Sequence, residues 1–179
     1  MIDIAPHFII SVNFRDTEVI AQNQGDVIWR SVVRRGGVDW EFLLLDYLRA
    51  EYNLLVGRRT VEMIILGLAS AREPGTQLVR GRDLTTQLPS VQEITCYEVS
   101  EALDEGVQSL MRDLTAIFEG RVTASDGMMS YPVPIPPELK PALGFRPVVL
   151  TGEFARLRGL DEMLQNALTV PIVSETTQN

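Results

Sequence analysis

Residues 7–14 form an extended apolar run, and two runs rich in β-branched residues follow at 17–22 and 27–33. Asn23-Gln24-Gly25-Asp26 separates the latter two and has the composition of a tight hairpin turn. The pattern predicts a three-strand antiparallel meander, which Gly36-Gly37 ends. From Asp39 the period changes. Phe42, Leu44, Leu45 and Leu48 recur at helical spacing, so a helix capped by Asp39 is expected to reach about residue 52, with Asn53 as its stop. After Gly57 a second helix is expected from about 60 to 71. Met63, Ile64, Ile65 and Leu68 make it apolar around most of its circumference, which suggests burial on several sides or an unpartnered surface.

Pro74-Gly75 lies in a loop at 72–76. Strands at 77–80 and 91–97, joined by a polar stretch, predict a second hairpin. Leu103, Val107, Leu110, Leu114 and Ile117 then mark a long helix over 99–119. Residues 120–146 hold five of the ten prolines and read as a long irregular segment. A buried strand at 147–150, a helix at 154–168 and a short strand at 170–173 complete the expected order. This is a mixed α/β chain whose sheet contains antiparallel and parallel pairs.

The composition narrows the chemistry. The 179 residues are 45% hydrophobic, enough to build a core. A net charge of −8, from 16 basic and 24 acidic residues, argues against a nucleic-acid partner. Arg34-Arg35 and Arg58-Arg59 read as solvated helix ends. His7 and Cys96 are the only residues of their kinds, which argues against an internal disulfide, a structural zinc site or a His-dependent catalytic triad. His7 reads as a strand residue and Cys96 as a small packed hydrophobe. Asp3, Asp16, Glu18 and Asp39 read as turn and cap residues. No apolar run approaches membrane-spanning length, no signal peptide is evident, and no basic amphipathic helix is present. The sequence therefore predicts a soluble cytoplasmic protein without direct membrane attachment.

Four stretches carry a family pattern. They are Glu51-Tyr52-Asn53-Leu54-Leu55-Val56-Gly57-Arg58-Arg59-Thr60 with Glu62; Gly81-Arg82-Asp83-Leu84 with Leu88-Pro89 and Glu93-Ile94-Thr95; Pro136-Pro137-Glu138-Leu139; and Leu150-Thr151-Gly152 with Ala155 and Leu157-Arg158-Gly159-Leu160-Asp161. In this order and spacing they resemble the C-terminal half of MreB-type bacterial actins, the actin-like cytoskeletal proteins of bacterial cell shape. The resemblance runs from about residue 9 to 173, interrupted by an insertion near 121–134. It implies an α/β fold: a ribonuclease-H-like actin-type half with a mixed sheet plus a small accessory lobe. Residues 1–56 and 98–179 would form the sheet-containing core, 57–97 the lobe, and 120–146 an irregular insertion within the core.

The resemblance also implies an ATP site. Its phosphate hairpin, aligned on Thr17, places Ser11 where the family has a metal-directed aspartate, and Asn13, Phe14 and Arg15 where it has three glycines. Its second glycine cluster falls on Gly152, Glu153 and Phe154. Gly36-Gly37 is retained, followed by Val38 in place of an acid. Glu62 matches a nucleoside contact, whereas the partner lysine position is Ile65. Only one of the six cluster glycines survives. Glycine is what lets backbone N–H groups approach a phosphate, so the expected site is degenerate. No cofactor is expected, with ATP and Mg entering only if the degenerate site still works. The family's first half and terminal helix are expected to be missing, so the chain alone is not expected to be an ATPase. The implied function is an MreB-like cell-shape module whose partners are an actin-like filament, other cell-shape proteins or itself. The 61–71 helix and Met128, Met129 and Tyr131 are candidate contact surfaces. The alternatives are an ATP-binding subunit completed by a separate first half, and a gene fragment without independent function.

Overall fold

The computed structural model describes residues 6–69, 74–121 and 132–175. Asp3, the last two residues of the expected 60–71 helix, the first two of the 72–76 loop, most of the 121–134 insertion, and Met128, Met129 and Tyr131 lie outside the described residues.

The meander forms as its alternation predicts: β1 (His7–Val12), β2 (Thr17–Asn23) and β3 (Asp26–Val33) pair antiparallel in sequence. Phe8, Ile10 and Val12 share the buried face with Thr17, Val19 and Ala21. On the other side of β1, β7 (Val148–Thr151) pairs parallel through Ile9↔Val149 to Ser11↔Thr151, and β8 (Ile172–Ser174) pairs parallel with β7. The mixed sheet has the order β3-β2-β1-β7-β8.

α1 (Gly37–Tyr52), with Gly36 at its cap, starts three residues earlier than expected. Asp39 still serves the N-terminus, but from the third helical position, where its Oδ2 accepts the Gly36 N–H at 2.9 Å. Leu44, Leu45 and Leu48 are buried, whereas Phe42 is 53% exposed, with the Arg58 guanidinium 5.4 Å from its ring centroid. The chain then forms a short strand, β4 (Leu54–Leu55), and α2 (Arg58–Ile64), which passes into a π-helical turn, Ile65–Ala69. Val61, Ile64, Ile65 and Leu68 are buried and Met63 is exposed, so α2 is not apolar all round in effect.

β5 (Thr76–Asp83) and β6 (Pro89–Thr95) pair antiparallel beside β4 in a second sheet of order β4-β5-β6. The hairpin is longer and its loop tighter than the polar stretch suggested. The Asp83 carboxylate accepts the N–H groups of Thr85 and Thr86 and closes the turn. Cys96 and Tyr97 belong not to this strand but to α3 (Cys96–Glu119). Thr95 caps α3, accepting from Glu98 N at 3.2 Å, and Glu98 answers by accepting Thr95 N at 2.8 Å. Leu103, Leu110, Leu114 and Ile117 of the expected stripe are buried against the core, and Cys96 is buried at its start.

The second half of the proline-rich segment contains one turn of 3₁₀ helix, Lys140–Gly144. The expected 154–168 helix is shorter: α4 spans Leu160–Leu168. Residues 153–159 instead make turns, because their backbone is committed elsewhere. Phe154 N–H donates to Val12 O at 3.0 Å and Arg158 N–H to Ala69 O at 2.7 Å. Their apolar side chains, Phe154 and Leu157, enter the core from a turn rather than from a helix. Among the described residues no helix is long and apolar enough to cross a membrane.

Candidate functional site: three loops around Phe154

Three sequence-distant segments meet at one end of the first sheet: the β1–β2 turn at 13–16, the Gly36-Gly37 entry to α1, and the 152–154 turn after β7. Parallel pairing of β1 with β7 places the first and third side by side. Both follow the C-terminal ends of parallel strands, where α/β sheets commonly place ligands.

Backbone hydrogen bonds knit these segments together. Gly37 N–H donates to Asn13 O at 3.1 Å and Val38 N–H to Phe14 O at 2.7 Å. Asp39 N–H donates to Gly36 O at 3.1 Å, and Gly36 N–H is held by Asp39. The donors at the N-terminus of α1, the natural anion-binding groups of a helix, are thus engaged by the chain itself from residue 36 to 39. Within the turn, Asn13 N–H donates to Asp16 O, and the Ser11 hydroxyl donates to Asn13 Oδ1 at 3.1 Å. Thr17, fully buried, donates its hydroxyl to Arg35 O at 2.9 Å.

Side chains fill the centre. Phe154 is fully buried, with ring centroids 5.7 Å from Trp40 and 6.3 Å from Phe14. The three retained glycines each have a packing reason. A Cβ on Gly37 would overlap the Phe154 ring, one on Gly36 would strike the backbone of the 13–16 turn, and one on Gly152 would strike Val12. Gly152 also has φ +104°, a left-handed conformation that favours glycine.

The structure therefore gathers Ser11, Asn13, Phe14, Thr17, Gly36, Gly37, Gly152 and Phe154 into one packed cluster. Arg15 and Glu153 project to solvent at its rim. Glu62 is half-buried on α2 and joins no ion pair among the described residues. Ile65 is fully buried, so the lysine-equivalent position faces the core.

The sequence reading missed an ion pair next to this cluster. Glu41, 2% exposed, accepts from Arg58 Nε at 3.1 Å and Nη2 at 2.9 Å. Arg58 is thus committed to a buried carboxylate, not a merely solvated helix end. Arg35, two residues past β3, pairs with the partly exposed Asp113 at 2.5 Å. The signal for the first pair was present: Glu41 lies in the stripe Glu41, Leu44, Leu45, Leu48, where a carboxylate demands a cation.

Comparison with known proteins places the chain. It is 29% identical over 171 residues to the cell shape-determining protein Mbl of Bacillus subtilis (strain 168), which covers 93% of this chain and 47% of that protein. It is 31% identical over 169 residues to the cell shape-determining protein MreB of Escherichia coli (strain K12), covering 92% of this chain and 44% of that protein. The chain therefore spans about half the length of these relatives. Among solved structures, MreB5 of Spiroplasma citri bound to ADP superimposes with a TM-score of 0.80 at 19% identity, covering 97% of this chain and 49% of that one. MamK matches with a TM-score of 0.64. These neighbours show the fold to be actin-like. With the MreB/Mbl protein family model matching residues 3–178, the chain belongs to the MreB/Mbl family.

Proposed function

We propose that this chain is an MreB-like cell-shape module, corresponding to the C-terminal half of such proteins, that assembles with its partners without nucleotide. The observation that carries the reading is Phe154. The ring occupies the space between the hairpin, α1 and the post-β7 turn. The first-turn donors of α1, committed to Asn13 O, Phe14 O and Asp39, support the same reading. A phosphate entering here would meet two aromatic rings and lose the oriented N–H groups that bind anions. The residues present do not fit ATP. Family membership supports a cytoskeletal role, with an actin-like filament, another cell-shape protein or a second copy of the chain as partner. The order of the four family stretches supports the C-terminal assignment.

Calorimetric titration with Mg-ATP tests this reading, applied to the wild type and to a variant with glycine at Asn13, Phe14, Arg15, Glu153 and Phe154. The expected wild-type result is no binding heat. Micromolar binding by the wild type sinks the proposal and makes an ATP-binding subunit the better reading. Binding by the variant alone would trace the loss to these side chains.

A further inference from the structure

Alternation along β5 and β6 turns Val79 and Ile94 into the core and leaves Leu78 67% and Val91 51% exposed on the outward face of the small sheet. The register sets Arg80 opposite Val91 and Leu78 opposite Glu93. Four outward side chains thus make a square, with an apolar pair on one diagonal and a cation and a carboxylate on the other. Diagonal neighbours lie about 7–8 Å apart, yet neither Arg80 nor Glu93 joins an ion pair among the described residues. Glu93 accepts the Thr76 hydroxyl at 2.8 Å. Arg82, the next outward residue of β5, is also outside every ion pair among the described residues.

The core carries a matching surface. Between α3 and the turn leading into α4 runs a groove of about 130 Å³, walled by Leu103, Val107, Leu157, Leu160 and Met163. Apolar spaces of about 150 Å³ accept a ring-sized group, so this one has room for a leucine side chain. Asp104 lines it from α3 and Arg158 from the turn. Both are exposed, and neither joins an ion pair among the described residues. Glu101 and Glu105, also exposed, add negative charge beside Asp104. The bond from Arg158 N–H to Ala69 O, 2.7 Å, holds the turn in place.

Each surface has an apolar centre between a cation and a carboxylate, so the two are complementary in sign as well as in polarity. We propose that the β5–β6 face of one copy of this chain docks on the α3–α4 groove of a second copy, with Leu78 and Val91 over the apolar walls, Arg80 toward Asp104 and Glu93 toward Arg158. This rests on the assembly reading above for its choice of occupant, and names the surfaces that meet. The square is far smaller than the roughly 800 Å² per partner of a stable complex, so one contact is weak and counts where many copies are held together. Because two different patches meet, each pair leaves one of each free, and the contact propagates unless its rotation closes a ring.

Sedimentation velocity of the full chain over rising concentration, with and without Mg-ATP, tests it. The wild type is expected to self-associate in the high-micromolar range, less so as salt rises. A hairpin variant, Arg80→Glu with Arg82→Glu, and a groove variant, Glu101→Lys with Asp104→Lys, change only exposed side chains. Each alone should associate at least about tenfold more weakly. An equal mixture should associate again, because the intact hairpin face of one variant meets the intact groove of the other. Leu78→Ser should weaken association without any change of charge. A chain that is monomeric at every concentration overturns the second copy as occupant and leaves the family assignment standing. Undiminished association of either charge variant, or a mixture no stronger than its components, also overturns the proposal. Association that requires Mg-ATP yet follows the variants upholds this contact and sinks the nucleotide-free reading instead.

Discussion

The contact between Gly37 and Phe154 makes a sign-changing prediction. Gly37 is the first residue of α1 and its φ is not left-handed, so alanine suits its backbone and helix propensity favours it by up to about 1 kcal/mol. In the wild type, however, the new methyl would overlap the Phe154 ring. Overpacking of this kind costs about 1–3 kcal/mol, so Gly37→Ala should destabilise. Phe154→Ala removes a fully buried ring and its contacts with Trp40 and Phe14, a loss of about 3–5 kcal/mol. In that background the space above residue 37 is empty, and Gly37→Ala should become neutral or stabilising. The coupling between the two changes is therefore expected to exceed ~1 kcal/mol. Urea denaturation followed by tryptophan fluorescence is suitable, because Trp40 lies against Phe154. With an m-value of about 2 kcal/mol/M, Phe154→Ala alone should lower the midpoint by ~1.5–2.5 M. Equal costs for Gly37→Ala in both backgrounds would refute the claim that Phe154 fills this space. A Phe154→Ala cost under ~1 kcal/mol would do the same.

Other consequences follow from the same contacts. Arg58→Ala leaves the Glu41 carboxylate buried without its cation and should cost about 3 kcal/mol by denaturant titration, whereas the Glu41→Leu, Arg58→Leu pair should cost clearly less. Hydrogen bonds from Thr95 first, then Tyr52, hold the Glu98 pKa below its usual value. Its contribution is present above the unfolded carboxylate range and lost as pH falls through the folded value, so Glu98→Gln should flatten the acid limb of the stability profile. The hydrogen bond to Glu98 and burial push the Tyr52 phenol up to about 12. That contribution is complete below the ordinary tyrosine pKa and is lost as pH rises toward 12; phenolate absorbance should show a late-ionising group that Tyr52→Phe abolishes. Thr95→Ala should cost about 1 kcal/mol by removing the α3 cap, read as a lower thermal midpoint.

The local period of the sequence determined most of the elements. Period-two alternation in 7–12 and 17–23 specifies strands with one buried face, and the Gln24-Gly25 turn specifies their neighbour. Leu103, Leu110, Leu114 and Ile117 mark the body of α3, whose start the sequence places at 99 and the Thr95–Glu98 capping box sets at Cys96; Gly120, with φ +80°, ends it. These signals are readable because each depends on residues a few positions apart. The glycines and their substituted neighbours were legible too, as a list of positions matched to a family. Only the tertiary structure decided what those positions do. Phe154 read as the beginning of a helix because its apolar neighbours have helical spacing. It sits instead in a turn, since β1–β7 pairing brings Val12 O within reach of its N–H and Gly37 leaves room for its ring. The same holds for Arg58, whose partner is seventeen residues away, and for Tyr52 and Glu98, which belong to different helices. Periodicity states which side of an element is buried. What that side meets is settled by contacts between segments far apart in the chain, and there a single side chain decides whether a cleft stays open or is filled.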